Sequence, residues 1–424
     1  MTKAYKQRPS RSRFVVPLGA GLLALFLASC ANDAPRELPS APGTAAPGTQ
    51  ASAAPAGSPS PEASPQPPAE PEVREATLMA VGDIMVHMPQ LPAYYDKPSD
   101  SYDLRPWFSQ VMPVLEQGDW VVGNLETPIA GKDLKFTGFP RFNAPDELAE
   151  AIKYAGIQLV STANNHSLDR GVPGVQRTLS TVRKIGLVPY GTSESEADRR
   201  RSVIEERNGI RMGFLAYTYG TNGIPIPAGK EYAVNLIDPD VIKREIAELR
   251  EAGADVVTVS LHFGVEYQRM PNSDQTALAE ELVKAGADLI LGSHPHVVQP
   301  YEEIAVAAEE SFDGAPRTGI VIYSLGNFIS NQTGDWKDVG VIFSARVVKT
   351  VHPDGTAVIE WKEVTTEPTW VHIAWKNKHR HYTVIPLQRE LEKPSFSELK
   401  PQDYKKMQKM QSGLHQHLRR LVAG

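Results

Sequence analysis

Six short apolar runs recur along this chain, and each breaks off at a polar cluster. Thr77–Val81 leads into Gly82-Asp83, Trp120–Val122 into Gly123-Asn124-Leu125-Glu126, and Gln158–Ser161 into Ala163-Asn164-Asn165-His166. Asp255–Leu261 leads into His262, Asp288–Leu291 into Gly292-Ser293-His294-Pro295-His296, and Thr318–Ser324 into Leu325-Gly326-Asn327. Runs this short and this rich in Val, Ile and Leu read as fully buried strands. Helical spacing fills the intervals. Pro145–Ala155 opens after Asn143 and stops at Gly156, Val172–Ile185 stops at Gly186, Asp238–Glu251 opens on Asp-Pro and stops at Gly253, and Ser273–Ala285 stops at Gly286. The alternation predicts an α/β architecture, in which ligands gather at the carboxyl ends of the strands.

The pattern changes at both ends. Ile342–Val348 and Ala357–Trp361 are strand-like and extend a sheet of the main domain; residues 346–424 are set apart as a C-terminal extension from a main domain over 75–345. Met407, Met410, Leu414 and Leu418 lie near helical spacing within 395–421. That segment reads as an amphipathic helix, packed on the domain or turned toward a membrane or partner. Residues 31–74 are dominated by Pro, Ala, Ser, Gly and Glu and hold no Phe, Trp or Tyr. Such a stretch cannot bury a core and reads as a disordered tether, reaching roughly 130 Å if it is polyproline-like.

The first thirty residues read as a targeting signal. Lys3, Lys6, Arg8, Arg11 and Arg13 precede an apolar run, Phe14–Leu27, that is short for a membrane span. The run ends in Leu27-Ala28-Ser29-Cys30, which looks like a bacterial lipobox, and Cys30 is the chain's single cysteine. Lipidation of Cys30 would anchor an extracytoplasmic domain to the bacterial membrane. Removing residues 1–30 takes away five basic side chains and no acidic ones. This leaves 39 Lys and Arg against 50 Asp and Glu, a net charge of −11. A chain this acidic is a poor polyanion binder in general, so nucleic acid is excluded as an expected partner. An anionic substrate would need a metal or a local basic patch.

Six groups suited to a metal sit at the ends of the apolar runs: Asp83, Glu126, Asn165, His262, His294 and His296. Taken singly, Asp83 and Asn165 fit turns, Glu126 a solvated loop and His262 a buried core position. His294-Pro295-His296 is harder to dismiss, because an extended segment would place both rings on one side. Imidazole, carboxylate and amide oxygen together suit Mn, Zn or Fe, as one or two ions, rather than an all-oxygen Ca or Mg cage. His166 is a candidate acid, with Asp169 either orienting it or capping the next helix.

At these residues the chain resembles the CapA family of poly-γ-glutamate capsule proteins, a branch of the calcineurin-like metallophosphoesterase superfamily. The stretches Ala80–Met85, Gly123–Pro128, Ser161–Asp169, Ser260–Tyr267, Gly292–Val297 and Tyr323–Phe328 occur in the family's order across Thr77 to Asn331. The resemblance implies two central β-sheets sandwiched by helices and the six metal ligands just named. It also implies a role in synthesis or export of an anionic polymer such as poly-γ-glutamate, with membrane polymer-synthase subunits as partners. Asn124, Arg141, Glu266 and Asn327, which lie in matching stretches, are placed on the substrate side. Two departures stand out. Met85 occupies the place where the wider superfamily has His (His87 lies on a different spacing), and Glu126 stands where an Asp is usual. A metal-dependent hydrolase and a non-catalytic polymer-binding or synthase-accessory lipoprotein both fit this reading.

Overall fold

The chain enters its fold through β1 (Glu72–Ile84), then passes a small hairpin of β2 (Tyr95–Asp96) and β3 (Ser101–Tyr102). Next come α1 (Met112–Leu115), β4 (Trp120–Leu125), α2 (Glu147–Tyr154), β5 (Leu159–Ser161), α3 (Gly171–Lys184) and β6 (Val188–Tyr190). Strands β1, β4, β5 and β6 lie side by side and parallel. A second run follows: α4 (Glu196–Arg199), β7 (Ile204–Arg207), β8 (Ile210–Thr218), α5 (Pro239–Glu251), β9 (Val256–His262), α6 (Ser273–Lys284), β10 (Leu289–Ser293), β11 (Val298–Val306) and β12 (Arg317–Leu325). It forms a six-stranded sheet in the order β11-β12-β10-β9-β8-β7. The chain then crosses back through β13 (Asn327–Ile329), which pairs with β1. Strands β14 (Val339–Val351), β15 (Ala357–Lys376) and β16 (His379–Pro386) complete the first sheet as β16-β15-β14-β1-β4-β5-β6. Two helices close the chain, α7 (Leu387–Glu392) and α8 (Pro401–Leu418). This computed structural model describes residues 70–422, and the expected signal, Cys30 and most of the tether lie outside them.

Strand periodicity produces the layering, since successive side chains point to opposite faces. Ala76, Leu78 and Ala80 of β1 share a buried cluster with Met212, Phe214 and Ala216 of β8 and with Val256, Leu289 and Ile322, so this core lies between the sheets. Met79 and Val81 face the other way, against Leu148 and Ile152 of α2 and Val182 of α3. Val257, Val259 and Leu261 of β9 likewise pack outward on Ile242 and Ile246 of α5 and Leu282 of α6. The result is two central sheets sandwiched by helices, the α/β architecture expected. Met407, Met410, Leu414 and Leu418 place one face of α8 against the inter-sheet core.

Boundaries and caps differ in detail from the sequence reading. β1 begins at Glu72, inside the expected tether, because Glu72–Arg74 pair with Lys349–Val351. The expected boundary at 345/346 falls inside β14, and the residues after it finish the first sheet. Helix α2 starts at Glu147, not after Asn143. The Asn143 amide instead ties a loop, donating to the carbonyls of Gly131 and Lys135 and accepting from Ala130. Among the described residues no helix is long and apolar enough to cross a membrane.

Candidate metal centre

Parallel strands of both sheets end at one edge, and their register brings the polar clusters together. Asp83 lies opposite Asn124 on one side and Asn327 on the other. His262 lies opposite Ser293 on β10 and Thr218 on β8. Two glycines permit this closeness. A Cβ on Gly82 would sit 1.8 Å from the Gly326 carbonyl oxygen, and one on Gly292 would sit 1.9 Å from that of Tyr323. The Asp83 N–H donates to the Gly326 carbonyl at 2.9 Å, so the polar cluster is built where two backbones touch.

One group of donor atoms comes from Asp83, Glu126 and His262, a second from Glu266, His294 and His296; within each group the atoms lie within 4.8 Å of one another. Glu126 Oε1 links the two groups, at 3.8 Å from His262 Nε2 and 3.6 Å from His296 Nε2. Asn165 Oδ1 lies 3.0 Å from His262 Nε2, and the Ser293 hydroxyl holds the other ring nitrogen at 2.8 Å. His296 Nδ1 meets Asp83 Oδ2 at 2.9 Å, while the Asn124 amide donates to Asp83 Oδ1 at 2.8 Å.

The electrostatics follow from burial. Burial pushes the Glu126 carboxyl well above the ordinary range, and Asp83 and Glu266 add to this. Burial pulls His262 well below its usual value, helped by His294 and His296. Burial and His296 lower His294 to about 4. Burial also acts to lower His296, but the Glu126 carboxylate and the hydrogen bond to Asp83 outweigh it, raising His296 to about 9.

Lone pairs converge here with too few protons between them. Glu126 Oε1, Asn124 Oδ1 and His294 Nδ1 are buried with no hydrogen-bond partner. Buried polar atoms are normally paired, so orphans clustered among imidazoles and carboxylates are a candidate place for a cation. His262 carries a further sign, its remote nitrogen fixed by Ser293 as ligating imidazoles require. The donor set fits Mn, Zn or Fe.

The two histidines reach the site differently from expectation. They do not share one side of an extended segment. His294 and His296 have φ of 99° and 56°, the left-handed region that non-glycine residues avoid. Such conformations concentrate where function over-determines the backbone.

His166 and Asp169 form a buried pair beside this cluster. Asp169 Oδ2 accepts from the Phe142 N–H at 2.7 Å and lies 2.8 Å from His166 Nδ1. Helix α3 is preceded by Arg170 and has no side-chain cap, so Asp169 orients the imidazole rather than capping the helix. Phe142 packs edge-on against the His166 ring at 4.6 Å.

The residues expected on the substrate side divide. Arg141 is exposed, next to Phe142. Glu266 groups with His294 and His296 as a potential metal donor. Asn124 is buried and its amide serves Asp83. Asn327 is fully buried, and its amide clamps the carbonyls of His296 and Lys337 together with Gln332 Oε1. Met85 is buried, and His87 is held between Gln90 and the Asn331 N–H. Sequence reading missed Ser293 as a partner of His262, and it missed Asn222, which accepts from Asn165 at 3.2 Å. It also missed Tyr219, whose ring lies tilted against His294 with centroids 4.6 Å apart. The last two follow β8, whose apolar run Ile210–Thr218 was the available signal.

Residues 77–332 match the family described as "Bacterial capsule synthesis protein PGA_cap". The "Capsule biosynthesis protein CapA" of Bacillus anthracis is 32% identical over 301 residues, covering 68% of this chain and 67% of that protein. The "PGA biosynthesis protein CapA" of Bacillus subtilis (strain 168) is 30% identical over 262 residues, covering 59% of this chain and 62% of that protein. The matched segments thus span about two thirds of these relatives' length. Among solved structures, the calcineurin-like phosphoesterase YfkN from Bacillus subtilis is similar at 15% identity with a TM-score of 0.39, covering 82% of this chain and 100% of that one. From the match over residues 77–332, this chain belongs to the bacterial capsule synthesis protein family PGA_cap.

Proposed function

We propose that this protein is a membrane-anchored, metal-dependent hydrolase of capsule polymer synthesis or export, acting on an anionic polymer of the poly-γ-glutamate class or its precursor. One observation carries the reading: Glu126 Oε1, His262 Nε2 and Asn165 Oδ1 converge as lone-pair donors beside a histidine already oriented by a carboxylate. Asp83, Glu126, Asn165, His262, His294 and His296 would hold the ion or ions, with Glu266 joining the second group. When bound, such a cation supplies Lewis-acid polarisation of a phosphoryl or carbonyl oxygen.

The chain's own residues supply proton handling and order. Asp169 engages His166 Nδ1, leaving Nε2 to donate a proton to a leaving group or hold one against developing charge. Phe142 fixes the ring's position. Burial excludes water around the donors, which strengthens each electrostatic contact.

The test uses the full chain loaded with Mn or Zn, on a generic phosphodiester and on poly-γ-glutamate. Turnover should disappear in His166→Ala while bound metal stays at the wild-type level. No turnover on either substrate, together with metal-dependent polymer binding, refutes catalysis and leaves the accessory reading. Anchoring is tested separately: Cys30→Ala should move the protein from the membrane to the soluble fraction.

A further inference from the structure

The rim of this acidic protein carries one basic, aromatic projection. β15 and β16 run on past the end of their pairing with β14, which stops at the Val339–Trp370 pair, and turn at Asn377-Lys378, both at positive φ. Within seven residues the tip holds Trp375, Lys376, Lys378, His379, Arg380 and His381. Trp375 is 67% exposed, an unusual position for an indole in a folded chain. Arg380 lies directly across the ladder from it, with the guanidinium 5.3 Å from the ring centroid. Among the described residues the only carboxylate paired with the tip is Glu398, on Lys376.

This projection stands on the same edge as the metal centre. β14 runs antiparallel to β1, with Phe343 opposite Ala80, so the start of β14 and the tip beyond it lie toward Asp83. A continuous set of contacts links the two. Arg380 donates to Asn331 Oδ1 at 2.7 Å, the Asn331 N–H meets His87 Nδ1 at 3.4 Å, and His87 packs on Phe142 at 5.2 Å, which packs on His166. At the far end of that line, Phe139 is 76% exposed beside Arg141.

We propose that the β15–β16 tip is a docking arm for the anionic polymer, holding a stretch of chain remote from the bond that reacts. Lys378 and Arg380 meet its carboxylates, and Trp375 covers its methylene backbone. The inference rests on the polymer reading above and adds a site to it. It also answers a charge problem: a domain this acidic needs a local cationic surface to approach a polyanion at all. A membrane surface would also accept exposed Trp and Lys. The arm's link to Asn331 and His87 favours polymer, because it joins the arm to the loops that carry the site.

The experiment measures binding of labelled poly-γ-glutamate to the full chain by fluorescence anisotropy at two salt concentrations. The variants are Trp375→Ala with Lys378→Glu, Arg380→Gln, and, at the metal centre, Glu126→Gln. The arm variants should bind about tenfold more weakly with a shallower salt dependence, retain bound metal and keep the wild-type Tm. Wild-type affinity in the arm variants, with loss only in Glu126→Gln, overturns the arm and leaves the polymer reading standing. Absence of polymer binding by the wild-type chain, with Trp375-dependent binding to anionic phosphatidylglycerol vesicles, overturns the arm as a polymer site and assigns it to the membrane surface.

Discussion

Glu126→Gln separates the metal-free and metal-loaded states of the candidate metal centre. The side chain is fully buried, and its Oε1 has no hydrogen-bond partner. Without a cation, the carboxylate is a burial liability, as the upward displacement of its pKa records. The isosteric amide removes that liability, so metal-free stability should stay the same or rise. With a cation the sign reverses, because an anionic ligand shared by both donor groups is lost. At metal one hundred times above Kd, binding stabilises the folded state by about 2.7 kcal/mol. Unfolding a domain of this size carries an entropy of about 0.7 kcal/mol per kelvin, so the wild-type Tm should rise by about 4 °C on adding metal. Losing even a hundredfold in affinity, the upper range for groups that merely orient ligands, leaves about 0.4 kcal/mol and less than about 1 °C at the same concentration. Differential scanning calorimetry of both proteins, after chelation and then with Mn or Zn, reads all four Tm values. A full metal-induced increment in Glu126→Gln would remove Glu126 from the ligand set. No increment in the wild type would refute the metal centre itself.

Three further outcomes follow from the geometry. Ser293→Ala frees His262 Nδ1 and should weaken metal binding by about 10- to 100-fold in a competition titration, with the fold intact. Gly82→Ala drives a methyl group into the Gly326 carbonyl and should cost about 3 kcal/mol or more, read by urea unfolding; a soluble variant of wild-type stability would contradict the crossover geometry. Glu367 is raised to about 7, first by burial. Its folded form therefore binds a proton more tightly than its unfolded form, and stability falls as pH rises between about 4.5 and 7. Glu367→Gln should then raise Tm at pH 8 by an amount equivalent to at most about 3 kcal/mol and leave it unchanged at pH 4.5.

By itself the sequence determined the alternation of strands and helices and the strand-end position of every candidate donor. Hydrophobic period and glycine stops are local signals, and α3, α5 and α6 lie where those signals put them, while α2 starts later than they indicate. Asp83, Glu126, Asn165, His262 and the pair His294 and His296 were legible for the same reason, since each follows an apolar run, whereas Glu266 joins the second group only in the fold. Tertiary structure alone decided which donors share a point and which polar residues serve the scaffold. Asn124 and Asn327 look like their neighbours in the sequence, yet the amide N–H groups of both are committed to contacts across 41 and up to 31 positions of chain. Ser293 became a partner of His262 only through the register of β9 against β10. The docking arm was equally invisible, because whether Trp375 is covered depends on where β14 stops, and pairing between distant segments is fixed by the whole fold rather than by any local pattern.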